Sequence, residues 1–272
     1  MKDILIHVRN LEKRGPSADF GARLAAAFGA AATGLYVCPR ALDIAPAFEP
    51  EVLTAAIGKV RQLVEDAVRA RQSFLDWAAS LGAAQADWIV AEGPVSDALA
   101  QAATRHDLLV LDHVDDDFGS AWVMPGVILA TGIPCIVMPR RTFHYVNPGR
   151  IAIGWNGSPE AMRAVHAALP FLQGRQVLLL RGEERARYAG VEWNPPFDIE
   201  AYLRLRGVGV EARAITARPD DAGAALLEEA VRFRADLLVM GAYGRSRFSE
   251  WMLGGATRHV LTWADIPVLL RH

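Results

Sequence analysis

The sequence is short of the residues on which several kinds of chemistry depend. It has two cysteines, Cys38 and Cys135, and no C-x-x-C pair. Neither a disulfide framework nor a thiolate zinc site can be assembled from that, and a reducing, cytoplasmic setting is the expectation. Of the 29 basic residues only three, Lys2, Lys13 and Lys59, are lysines, so the C-terminal half has none. A G-x4-G-K-[ST] phosphate loop is thereby excluded from it. No H-E-x-x-H helix and no G-x-S-x-G turn occurs, which leaves metalloprotease and serine-hydrolase chemistry without support. No apolar run approaches the ~18 residues of a membrane span, and the opening apolar run, Ile4–Val8, is too short for a secretory leader. The formal net charge of −2 gives no electrostatic footprint for nucleic acid or an anionic membrane.

What is present is a globular composition over 272 residues, 52% hydrophobic and 22% charged, a natural length for two domains. The chain repeats itself once. His106–Arg141 begins HDLLVLDH and ends TGIPCIVMPRR; Ala235–His272 begins ADLLVMGA and ends ADIPVLLRH. Asp107-Leu108-Leu109-Val110 matches Asp236-Leu237-Leu238-Val239, and the openings DILIHV at Asp3 and RIAIGW at Arg150 also correspond. A unit of about 125–145 residues is used twice, with domains expected over residues 1–141 and 149–272 and a connector at Thr142–Gly149.

Short apolar runs alternate with helical patterns in each unit. The first offers Ile4–Val8, Leu35–Val37, Trp88–Ala91, Leu108–Leu111 and Cys135–Met138 as strands. The second offers Ile151–Gly154, Val177–Leu180, Val210–Ile215, Leu237–Met240 and Val268–Leu270. Continuous rather than alternating apolar residues mean burial on both faces, hence a parallel sheet covered by helices. A long helix is expected over Lys59–Leu81, and another that starts with Ser158 as N-cap and Pro159 in its first turn. The fold class is α/β: two tandem, five-stranded, parallel, doubly wound, Rossmann-like domains. Such sheets bind ligands outside the carboxyl ends of the strands, here the loops after Gly154, Leu180 and Met240.

One of those loops carries a glycine constellation. After Met240 the chain reads Gly241, Gly244, then Gly254-Gly255-Ala256-Thr257, a G-x2-G-x9-G-G spacing that leads from a buried strand into a helix. Glycines let a backbone approach an anion, successive amides form a nest, and a helix start offers free N–H groups and the positive end of its dipole. Arg245 adds positive charge. The plainer reading of the same glycines is that they permit tight turns. Trp155 likewise admits two readings, a core residue or a neighbour of a bound base.

This spacing, with DLLVMGAYGRS…LGGATRHVL…ADIPVLL around it and AIGWNGSPEAMRAVHAAL at the start of the unit, resembles the universal stress protein family over the whole second unit and more faintly over the first. The resemblance implies a tandem universal stress protein with ATP as the ligand, alone or with Mg²⁺. Its site would comprise Gly154, Trp155 and Asn156 near the adenosine. Met240, Gly241, Gly244, Arg245, Gly254, Gly255, Ala256 and Thr257 would surround the phosphates. This chain departs from the family pattern at Asn156, where an aspartate is usual, at Gly255, where a serine is common, and at Arg247, where a glycine is frequent.

The equivalent loop of the first unit reads Asp112-His113-Val114-Asp115-Asp116-Asp117. Asp112 stands where the second unit has Gly241, and carboxylates repel a triphosphate. The first unit is expected to be a degenerate copy without nucleotide. Asp112, His113, Asp115 and Asp117 would offer ligands to a hard cation, but the glycine and distal glutamate of an EF-hand are missing, and a solvated acidic loop is the simpler reading.

Functionally the expectation is a stress-related regulatory protein that binds one adenine nucleotide without fast turnover and acts on protein clients the sequence does not name. The alternatives are an interaction module with a vestigial pocket, and a slow ATPase or phosphotransferase. Each unit ends in an apolar Ile-Pro strand, Ile133–Pro139 and Ile266–Leu270. Exposed apolar edges are remedied by pairing, so these strands are expected to lie antiparallel in an internal pseudo-dimer, with homodimers left open.

Overall fold

The computed structural model describes residues 1–44, 50–113, 123–140, 147–182, 194–218, 221–242 and 255–272. The chain divides into two compact units, Met1–Ile133 and Pro134–His272. No helix among the described residues is long and apolar enough to cross a membrane.

The first unit runs β1 (Asp3–His7), α1 (Pro16–Phe28), β2 (Ala31–Cys38), α2 (Ala41–Ile44), α3 (Pro50–Arg69), α4 (Arg71–Ser80), β3 (Gln85–Glu92), α5 (Val95–Ala103), β4 (Leu108–Asp112) and α6 (Val123–Thr131). Its strands pair in the order β3-β2-β1-β4, all parallel. Ile4, Leu5, Ile6, Leu109 and Val110 are fully buried, as a sheet covered on both faces requires. The helix expected over Lys59–Leu81 is two helices, α3 and α4, which meet at Ala70. Hydrogen bonds from Ala70 N to Asp66 O and from Phe74 N to Ala70 O, both 3.0 Å, carry the chain through the junction. Phe74 anchors the second helix against Trp88 of β3, with ring centroids 4.9 Å apart, and Trp88 donates its indole N–H to Ala67 O at 2.7 Å.

The second unit runs β5 (Cys135–Met138), β6 (Arg150–Trp155), α7 (Pro159–Leu172), β7 (Gln176–Arg181), α8 (Ile199–Leu205), β8 (Val210–Ala214), α9 (Ala222–Phe233), β9 (Leu237–Gly241), α10 (Gly255–Trp263) and β10 (Val268–Arg271). The order is β5-β10-β9-β6-β7-β8, parallel except for β5 against β10. By sequence β5 closes the first repeat; by packing it belongs to the second unit. Val137, Ile136 and Cys135 face Val268, Leu269 and Leu270 in antiparallel register, so the two Ile-Pro strands pair as their exposed apolar edges demanded.

The duplication is visible in one repeated contact. In the first unit Asp107 Oδ2 accepts hydrogen bonds from the amides of Lys2 (2.5 Å) and Asp3 (3.2 Å). In the second, Asp236 Oδ2 accepts them from Gly149 (2.9 Å) and Arg150 (3.0 Å). The aspartate that precedes the fourth strand of each repeat thus pins the start of the first strand. Those amide bonds hold the Asp107 carboxyl below its ordinary pKa.

Candidate functional site

In the second unit β6 lies between β9 and β7. The chain leaves β6 toward β7 on one side and returns as β9 on the other, so the strand order reverses at the β6–β9 boundary. That is the switch point at which doubly wound sheets open a crevice. Gly154 pairs in register with Met240 across it, and Gly241 follows at the end of β9.

The loop after β6 is built by its own side chains. Asn156 Oδ1 accepts the amide of Ser158 at 3.1 Å, Gly157 takes φ 71°, and Ser158 Oγ caps α7 by accepting the amide of Ala161 at 3.1 Å. The N-cap and the proline in the first turn are as the sequence predicts. Asn156 is exposed, with its amide oxygen committed to the turn.

Gly241 is where α7 and the sheet touch. A Cβ there would lie 2.5 Å from Ala161 N and 2.6 Å from the Glu160 carbonyl carbon, so only glycine lets the first turn of α7 sit on the end of β9. Gly154 is tighter than it needs to be for a strand alone: its Cβ would meet Leu226 Cδ2 of α9 at 3.1 Å. Met240 is buried. Trp155 is buried too, tilted against Phe197 with centroids 6.0 Å apart, so its ring forms part of the packed wall beneath the loop.

On α10, Gly255 is exposed, and a Cβ at that position would meet no atom of the described residues within 4 Å. Ala256 packs against α9: a Cβ on Gly223 would lie 2.8 Å from Ala256 O. Thr257 is buried. Gly244, Arg245 and Gly254, with Arg247, lie outside the described residues. The structure therefore brings Gly154, Met240, Gly241 and the Asn156 loop together at the switch point.

The sequence pointed to the loop after Leu180 without naming a residue there, and it gave no sign of a second feature. A cleft of about 540 Å³ opens at the carboxyl ends of β7 and β8, lined by Arg181, Gly182, Glu200, Ala212, Arg213 and Ala214. It adjoins the switch-point loop through a 2.8 Å bond from Gly182 N to Trp155 O. Arg181 pairs with Glu200 at 3.4 Å, and Arg213 with Glu211 at 2.7 Å and Glu229 at 3.1 Å, so the charged groups in its mixed polar and apolar walls are paired. The second feature is Arg271, which pairs in register with Gly241 and whose Nη1 is buried without a hydrogen-bond partner among the described residues. A strand-terminal arginine ordinarily reads as a solvated charge, which is why its sequence gives no signal.

The first unit fills the same place from within. Asp112, at the end of β4, turns its carboxylate onto the start of α1: Oδ1 accepts the amide of Ser17 at 2.6 Å. Ser17 Oγ in turn donates to His7 O at 3.0 Å. Burial pushes the Asp112 carboxyl above its ordinary pKa, against the Ser17 hydrogen bonds and Arg9, which pull the other way. The His7 imidazole is buried, and that burial, with Arg9 second, lowers its pKa to about 4. His113 is described, whereas Asp115, Asp116 and Asp117 lie outside the described residues.

Comparison with known proteins agrees with this architecture. Residues 148–272 match the model of the Universal stress protein family. A universal stress protein from Archaeoglobus fulgidus DSM 4304 superposes with a TM-score of 0.70 at 16% identity, covering 99% of this chain and 95% of that one. A universal stress protein from Pseudomonas aeruginosa UCBPP-PA14, described by its structure as putative, gives 0.58 at 13% identity, covering 100% and 93%. A functionally unknown protein from Pseudomonas aeruginosa PAO1 gives 0.58 at 12% identity, covering 100% and 92%. At these identities the likeness is one of fold. No curated protein matches the chain.

Proposed function

Because residues 148–272 match the model of the Universal stress protein family, we propose that this chain is a stress-related regulatory protein that binds one adenine nucleotide, ATP, at the switch point of its second unit. The observation that carries the reading is the register of Gly154 with Met240 at the β6–β9 boundary, with Gly241 and the capped start of α7 directly beside it. The glycine sequence from Gly241 to Gly255 then leads the backbone from that boundary to the N-terminus of α10, where free amides and the helix dipole favour phosphate oxygens. Asn156 offers its amide to the adenosine, and the cleft at β7–β8 leaves room beside it. Regulation rather than turnover is proposed because the chemistry of the site is one of amides and arginines, and Mg²⁺ would accompany the triphosphate rather than be held by a protein cage.

A second reading has its own support. The glycine at 241 is demanded by packing against α7 whether or not a ligand is bound, as a pocket kept only for its fold would require. The protein would then work as an interaction module.

Calorimetric titration with ATP separates the two. The proposed function predicts one site per chain, with Gly244→Asp weakening it more than tenfold, about 1.4 kcal/mol, in a protein that remains folded. Absence of ATP binding to the wild type favours the interaction module, and two equivalent sites per chain contradict the assignment of the first unit.

A further inference from the structure

We propose that Arg271 is an anion-binding residue that, with the charge of Arg163 nearby, takes a phosphate-class oxyanion on the α7 face of the sheet. The inference rests on the nucleotide reading for the identity of the natural ligand, the terminal phosphates of ATP, but on its own observations for the site.

The first observation is direction. In parallel sheets, residues paired in register project to the same face. Arg271 pairs with Gly241, and an atom added at Gly241 would point into the first turn of α7, at Ala161 N and Glu160. The Arg271 side chain therefore rises on the α7 face, at the end of the strand next to the proposed nucleotide site.

The second is an unmet hydrogen bond. Arg271 Nη1 is buried and has no acceptor among the described residues. A guanidinium carries five donors and no acceptor and keeps its charge. A buried donor left without a partner is costly, and a buried charge more so. Protein interiors satisfy such groups with few exceptions.

The third is the sign of the surroundings. Burial holds the Arg271 pKa below its ordinary value; Cys135 across the β5–β10 pair acts against that, and the nearby charge of Arg163 adds to it. Arg163 itself makes a 3.5 Å contact with Glu160. Two guanidinium groups that repel one another in the unliganded protein are drawn to a shared anion, and a planar fork suits a phosphate.

The test uses the full chain and its Arg271→Met variant, titrated with pyrophosphate, ATP and adenosine, and melted without ligand. Methionine replaces a partly buried, unpaired charge by an apolar chain of similar length, so the variant should be as stable as wild type or more so. The inference expects Arg271→Met to weaken pyrophosphate and ATP at least tenfold and to leave adenosine unchanged. Equal pyrophosphate affinity in the two proteins overturns it, even where both bind ATP and the nucleotide reading stands. Pyrophosphate binding that depends on Arg271 in a protein that ignores ATP keeps the inference and removes the nucleotide reading. A wild type that binds neither overturns both.

Discussion

The carboxylate of Asp112 accepts a 2.6 Å hydrogen bond from the backbone amide of Ser17, across 95 residues of sequence. Ser17 is the second residue of α1, and the N-cap position is Gly15, which has no side chain with which to cap it. Asp112 does that work from the end of the fourth strand. In the second unit the corresponding residue is Gly241, and the helix there is capped locally by Ser158. One repeat thus ends its strand in a glycine against which α7 packs, and the other in a carboxylate that caps the facing helix.

From this follows a contrast between two substitutions. Asp112→Asn keeps an oxygen to accept the Ser17 amide and removes a charge that burial disfavours. Asp112→Ala removes the acceptor. A lost helix cap costs about 1 kcal/mol, so urea denaturation at neutral pH should rank Asp112→Asn at or above wild type and above Asp112→Ala. The sign with pH is fixed by the raised folded pKa. The native state holds the Asp112 proton more tightly than the unfolded chain, so wild type loses stability as pH rises from the ordinary carboxylate range through that folded value. The advantage of Asp112→Asn should therefore be smaller in acid than at neutrality; an advantage that does not change with pH would contradict the buried charge.

His7 titrates with the opposite slope. Its folded pKa of about 4 lies below the ordinary 6.5, so the unfolded chain binds the proton first. Stability from this group is fully present above pH 6.5 and is lost as pH falls toward 4. A gap of this size corresponds to roughly 3 kcal/mol. Denaturation midpoints measured from pH 7.5 to 4.5 should fall in wild type, with a shallower fall in His7→Asn, whatever the level from which that variant starts.

Much of this was legible in the sequence because it is local or repeated. Ten apolar runs became ten strands, Ser158 caps the helix that Pro159 begins, and the matching Asp107 and Asp236 make the same contact in both units. The two Ile-Pro strands carried a physical problem, an apolar edge, whose solution could be stated in advance. What could not be read depends on chain segments meeting in space. Asp112 signalled repulsion of phosphate, but not that its partner would be the amide of Ser17. Nothing in the sequence around Arg271 marked it out from other arginines. Trp155 stood in a predicted loop with its side-chain direction open, and that direction is inward.

Gly241 and Gly255 belong to one motif yet answer to different forces. Alanine at Gly241 would put a carbon 2.5 Å from a backbone nitrogen of α7, an atom that cannot turn aside as a side chain can. Gly241→Ala should cost about 1–3 kcal/mol, the usual penalty for overpacking, in thermal or urea unfolding without any ligand. Unfolding at wild-type midpoints would show that α7 does not bear on β9 as described.

At Gly255 no described residue would meet an added side chain, and the residue begins α10, where the proposed phosphates meet the helix amides. Gly255→Ser places a hydroxyl at that helix start without displacing any neighbour. Replacing glycine also reduces the freedom the unfolded chain loses on folding, worth about 0.4–1 kcal/mol where the backbone suits it. The variant should therefore be slightly more stable than wild type, and it should bind ATP more tightly by about fivefold, the value of one added hydrogen bond of about 1 kcal/mol. The two effects have separate causes and can be measured separately, by denaturation and by calorimetry. Greater stability with unchanged ATP affinity would mean that the phosphates do not reach the first turn of α10, and the amides at the end of β9 would then have to hold them with Arg271.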